Sequence, residues 1–168
     1  MSKLIVNTIE AQTCLAQTIK YDSDTTGMTL NSDGIVLKPN VVAFSAKSTA
    51  GNGAQNTKVI PIQTKNFDIG GNYDTTNSRF TAPVDGVYHF DFTVHSTTSQ
   101  ASAAWIRKNG TNYMRTYYAS TSGGYEGQCI INVNMQLDAD DYVDIYSPGN
   151  FSFYLVDGYN EFSGFLIG

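Results

Sequence analysis

RFTAPVDGVYHFDF, residues 79–92, enters through Pro83 and Gly86 and then sets Tyr88, Phe90 and Phe92 on alternate positions. A period of two is the period of a β-strand, so three rings share one face and Val87, His89 and Asp91 share the other. The ring face calls for a thick apolar layer. The opposite face, with an imidazole and a carboxylate, suits contact with more than bulk water.

The same texture extends outward in both directions. Strands are predicted over 41–46, 58–62, 66–69, 78–82, 86–95, 103–108, 112–119, 127–137, 141–147 and 152–167, the last broken near Gly158. Loops of Gly, Asn, Ser and Thr separate them, and no stretch has convincing helical periodicity. Ten such strands imply an all-β chain, an antiparallel sandwich or barrel. Lys108-Asn109-Gly110-Thr111 is a tight-turn signal between two of them. Its Asn-Gly-Thr also matches a glycosylation sequon, which matters only on a secretory route.

Residues 1–39 read differently. KLIVNTIEAQT alternates weakly, and AQTCLAQTIKY suits a short helix or another extended piece. Met28 and Leu30 lead through Asn31-Ser32-Asp33-Gly34, a turn sequence, to Ile35 and Leu37, which predicts a small hairpin. The segment has too few large apolar residues to fold alone. It is expected to be a short β-rich arm that packs on the main domain or wraps with other copies. Pro39-Asn40 marks its boundary with a head over 40–168.

Composition narrows the function. Only 15% of residues are charged, and eleven tyrosines with many Asn, Thr and Ser fill the surface, against roughly 25% charged in an average domain. That texture suits extracellular or virion proteins. A net charge of −5, with Arg107-Lys108 as the longest basic group, speaks against nucleic acid as a partner. Cys14 and Cys129 lie far apart and belong to no Cys-x-x-Cys pair, so free thiols are expected. No secretory signal peptide is recognised at the start, and no apolar run reaches membrane-span length. Release by lysis, as for a phage particle, reconciles an outside workplace with that start.

Four segments resemble one family. AFSA at 43–46, NFDIGGNYDTTNSRFTAPVDGVYHFDF at 66–92, LDADDYVDIY at 137–146 and FSGFLIG at 162–168 are similar to the globular head of complement C1q, a relative of tumour necrosis factor. They fall in the family's order and span residues 41 to 168. Asp140 stands where the family has the Gly of its Gly-Asp-x-Val stretch, and no collagen repeat precedes the head. The resemblance implies a jelly roll of two five-stranded sheets and association as a homotrimer through the inner sheet. It then implies that Tyr88, Phe90, Phe92 and Val94 fill the core. Val87 and a trimer interface of His89, Asp91, Thr93 and His95 would face neighbouring subunits. The arm, LIVNTIEAQT to TGMTLNSDGIVLKPNVVAF, resembles the lead-in of tail-fibre and other virion proteins of marine cyanophages. That implies attachment to other virion proteins through residues 1–39, in a phage tail or appendage.

Several side-chain groups are candidates for binding. His89 and Asp91 sit two apart on one strand, within reach of a shared ion on a threefold axis or of a plain hydrogen-bonded interface. Asp138, Asp140, Asp141 and Asp144 suggest calcium, or an acidic turn capped by its own backbone. Trp105, Arg107, Tyr113, Arg115, Tyr117, Tyr118 and Tyr125 are candidate contacts for a host receptor or glycan, through ring faces and guanidinium groups. Alternation requires some of these rings to face the core. No Ser-His-Asp set, phosphate loop or placed glutamate pair is found, so neither enzymatic activity nor a cofactor is expected. The expected role is a homotrimeric virion structural protein with an adhesive head. The alternatives are a soluble lectin-like or adhesive protein of a cell, outside it, and a purely structural virion decoration protein.

Overall fold

The computed structural model of the chain describes residues 17–20, 23, 26–97, 101–119 and 127–168. The chain divides into two compact units, Met1–Val41 and Val42–Gly168.

In the first unit β1 (Gln17–Lys20), β2 (Thr26–Leu30) and β3 (Val36–Leu37) form an antiparallel sheet in that order. The predicted hairpin is its β2–β3 half. Asn31 turns the chain by accepting the backbone N–H groups of Asp33 and Ile35 on its Oδ1, at 3.0 and 2.8 Å. Gly34 supplies the left-handed residue, with φ 79°. Register places Ile19 opposite Met28 and Leu30 opposite Val36, so these four side chains share one face.

The second unit contains β4 (Ala43–Lys47), β5 (Gly53–Val59), β6 (Thr64–Ile69), β7 (Tyr73–Asp74), β8 (Arg79–Thr81) and β9 (Gly86–His95). It continues with β10 (Ser102–Lys108), β11 (Thr111–Tyr118), β12 (Gln128–Leu137), β13 (Tyr142–Phe153) and β14 (Asn160–Leu166). Two antiparallel sheets result. Sheet I has the order β12-β9-β14-β4-β6; sheet II runs β11-β10-β13-β8-β7, with β5 also paired to β13. This is the all-β antiparallel jelly roll that the patterning and the resemblance implied.

The strand expected over 152–167 is broken around Gly158 as expected, but its first part belongs to the strand expected to end at 147. Strand β13 continues through Pro148-Gly149 to Phe153, and β14 begins separately at Asn160. The reason is β5, which pairs with the far half of β13 through a register shift between Ser147 and Asn150. A bulge lets a strand pass a proline without losing its partner. Asn160 then ties down the intervening turn, donating from Nδ2 to the carbonyls of Tyr154 and Val156.

The rings of the opening stretch lie where alternation placed them. Tyr88, Phe90, Phe92 and Val94 are buried between the sheets. Phe44 stacks on Tyr73 and Phe80 with centroids 4.7 and 5.0 Å apart, and Phe162 meets it edge-on at 5.1 Å. Each such side chain stabilises the fold by about 1.5–3 kcal/mol through burial, with a further contribution from ring geometry. The Tyr73 hydroxyl donates to the Ile62 carbonyl at 2.9 Å, and burial pushes its pKa well above the ordinary phenol value.

The outer edge of β12 is guarded by side chains from sheet II. Lys108 Nζ donates to the Gln136 carbonyl, Tyr113 Oη to that of Asn134, and Ile130 N–H to Thr116 Oγ1. An edge strand so engaged is a poor template for stray pairing.

Candidate functional site

Alternation in β9, β12 and β14 that buries one face of sheet I lays out the other as rows across strands. The central row runs Asn132, Asp91, Ser163, Ser45 and Phe67. On one side of it lies a row of Ile130, Thr93 and Glu161; on the other, Asn134, His89, Phe165, Ala43 and Ile69. The face is thus polar over much of its area, with the apolar Ile130 on β12, Phe165 on β14 and Phe67 and Ile69 on β6 exposed among the polar groups. Ile130 is 49% exposed, Phe165 48% and Phe67 48%.

The polar groups are organised. His89 Nδ1 lies 2.7 Å from Asn134 Oδ1 and its Nε2 3.0 Å from Asp91 Oδ2. Asn132 Nδ2 donates to the other oxygen of Asp91. Further along, Asn66 Nδ2 donates to Ser45 Oγ at 2.9 Å, and Ser45 Oγ donates to Glu161 Oε1 at 2.7 Å. A depression of about 200 Å³ opens between Asp91, Thr93, Ile130, Asn132, Glu161 and Ser163. His95 Nε2 lies 2.6 Å from Gln128 Nε2, and its ring meets Tyr159 edge-on. All four residues expected at a trimer interface, His89, Asp91, Thr93 and His95, therefore stand on this one face, with Ile130, Phe165 and Phe67 beside them. Those three were missed because an isolated apolar residue in an alternating strand gives no sign of which face it joins.

The acidic candidates part company. Asp91 is engaged by His89 and Asn132, whereas Asp138 and Asp140 lie in the turn before β13. There Asp141 accepts from the N–H of Asp138 at 2.8 Å and from Asn109 Nδ2 at 2.6 Å, and it pairs with Lys108 Nζ at 2.6 Å. Asp140 has φ 69°, the left-handed conformation that a glycine fills most easily. Asp144 is buried in sheet II against Arg107. Among the described residues no group of three or more His, Cys, Asp or Glu side chains is placed to hold a metal ion.

The receptor-contact candidates also divide. Trp105 lies opposite both Arg115 and Tyr146 on the outer face of sheet II, and Ala103 opposite Tyr117. The Arg115 guanidinium lies 5.2 Å from the Tyr117 ring centre. Arg107 is on the same face but holds Asp144 with two hydrogen bonds. Tyr113 reaches to the edge of β12, at the register shift between Ile106 and Arg107. Tyr118 is partly buried and packs against the core. Tyr125 lies outside the described residues. Tyr146, overlooked in the sequence, completes the outer platform.

A two-sheet antiparallel jelly roll with one organised free sheet face defines a class of β-sandwich domains. The family model described as C1q domain matches residues 43–167, and the chain belongs to that family. The collagen alpha-1(X) chain of Mus musculus is 31% identical over 113 residues, covering 64% of this chain and 16% of that one. Among solved structures, the Eiger TNF of S. frugiperda superposes with a TM-score of 0.67 at 9% identity, covering 77% of this chain and 94% of that one. The globular domain of the zebrafish complement 1qA protein gives 0.61 at 19% identity, covering 76% and 98%. Murine APRIL gives 0.62 at 10% identity, covering 76% and 99%. At these identities the likeness establishes the fold.

Proposed function

We propose that three copies of the head associate through the outer face of sheet I and that the assembly is an adhesive virion appendage of the tail-fibre kind. The observation that carries the association is the face itself. It combines exposed Ile130 at the β12 end with exposed Phe67 at the β6 end, and a hydrogen-bonded polar band between. Two different apolar patches at opposite ends of one sheet suit a cyclic, head-to-tail contact that closes on itself. Residues 1–39 then serve as the attachment arm, joining the head to other virion proteins. The outer face of sheet II, with Trp105, Arg115, Tyr117 and Tyr146, is left free to meet a host receptor or glycan. Trimeric display multiplies weak contacts into an avidity gain of order 10² to 10⁴. No catalytic step or cofactor is needed for this role, and its place of action is outside the cell.

Light scattering on the purified chain tests the assembly: three chains are expected. Phe165→Asp and Ile130→Asp, both on exposed side chains, should give folded single subunits. A trimer that survives both changes would overturn the proposed interface. For the virion role, a chain lacking residues 1–39 should keep its trimer and lose incorporation into particles. Incorporation without the arm would sink that part of the reading.

A further inference from the structure

The face of sheet I carries both histidines of the chain and two carboxylates that, among the described residues, pair with no lysine or arginine. His89, Asp91 and His95 project from β9, and Glu161 projects from the adjacent β14, one row away from Asp91. The strand on the other side, β12, offers only the amides Gln128, Asn132, Asn134 and Gln136 and the apolar Ile130 on that face. Toward the other edge, Lys47 on β4 is paired with Asp157 at 2.7 Å, and Lys65 on β6 with Asp68 at 3.0 Å. Tyr159 against His95 adds no charge. With neutral imidazoles the face thus holds two unbalanced negative charges per copy.

We infer that assembly of the trimer takes up protons at His89 and His95, so that mild acid tightens it. The inference rests on the proposed threefold contact. Closing that contact gathers six carboxylates, two from each of three copies, where water is partly excluded and like charges repel more strongly. Six imidazolium groups on the same surface would balance them. The geometry at His89 already suits the charged ring. Its two nitrogens lie 2.7 and 3.0 Å from the acceptor oxygens of Asn134 and Asp91. An imidazolium donates to both; a neutral ring, with one N–H, donates to one. At His95 the partner is the exposed Gln128 amide, which turns over to present Oε1 when the ring gains its second proton. Histidine is the side chain suited to changing charge between neutral and mildly acidic solution, and that is the window to test. By linkage, each proton bound on assembly shifts the association constant about tenfold per pH unit across that window.

Sedimentation velocity of the full chain, in a dilution series at pH 8 and at about pH 5.8, reads this directly. The concentration of half-dissociation should fall at least about tenfold at the lower pH. In His89→Gln/His95→Gln the two values should coincide. In Asp91→Asn/Glu161→Gln the trimer should be as tight at pH 8 as the unaltered protein is in acid. A wild-type trimer with the same dissociation at both pH values, or a shift that survives the double histidine change, would overturn the linkage while leaving the trimer standing. A chain that stays single at every pH and concentration would overturn the threefold contact itself.

Discussion

Arg107 grips Asp144 through two parallel hydrogen bonds, Nε to Oδ1 and Nη2 to Oδ2, each 2.7 Å, while its guanidinium lies 4.2 Å from the centre of the Tyr146 ring. The pair sits in a row across sheet II that continues to Arg79 and Asp74, so cation and anion alternate over four strands. Arg79 in turn lies 4.1 Å over Tyr142. A fork of this geometry fixes both the register of β10 on β13 and the position of a fully buried carboxylate.

Removing one partner of such a pair leaves the other charged and desolvated. Arg107→Ala is therefore expected to cost about 3–5 kcal/mol of unfolding free energy. Arg107→Lys, which keeps the charge but loses the fork, should also destabilise. Denaturant titration measures both; a loss below about 1 kcal/mol for the alanine variant would mean that Asp144 finds water instead.

Part of the acid sensitivity should lie in the turn before β13. The hydrogen bond from Lys108, then those from Asn109 and the Asp138 N–H, hold Asp141 down at a pKa of about 2. A carboxyl lower in the folded state than its unfolded value near 3.9 stabilises above that value. The contribution disappears as pH falls through 2. Asp141→Asn should thus be less stable than the parent at pH 7, with the gap closing by pH 2. An equal gap at both values would show that the carboxylate charge is not its source.

Gly164 lets two strands approach. A Cβ there would stand 2.6 Å from Phe90 Cδ1 and 2.9 Å from the His89 carbonyl oxygen. The second atom is backbone and cannot step aside. Gly164→Ala should cost about 1–3 kcal/mol by overpacking. Thermal unfolding would show it; an unchanged midpoint would mean that β14 shifts freely on β9.

The thiol of Cys129 should be inert in the native protein. It is buried in the core face of β12, and desolvation raises its pKa to about 11. A thiol-reactive reagent at pH 8 should label Cys129 only after denaturant is added, as peptide mapping would reveal. Fast labelling of the native chain would require β12 to open.

Much of this was legible in one dimension because a strand's period is local. Tyr88-x-Phe90-x-Phe92 needs no partner to declare a buried face, and Asn31-Ser32-Asp33-Gly34 or Asn109-Gly110 needs only its own backbone to declare a turn. The glycine of the FSGFLIG segment at 162–168, quoted for the resemblance, has its physical cause in the close approach of Gly164 to Phe90.

What alternation could not supply was which distant strand each residue would meet. Asp144 looked like a member of an acidic loop cluster, and only pairing of β13 with β10 turned it into the buried partner of Arg107. Alternation separates Tyr117 from Tyr118, one outward and one toward the core, but only the bulge opposite Arg107 sends Tyr113 to the edge of β12. Side-chain direction along a strand follows from the chain's own geometry. Which charges neutralise one another, and which faces remain free, depends on contacts between residues far apart in sequence, and those exist only once the two sheets have packed.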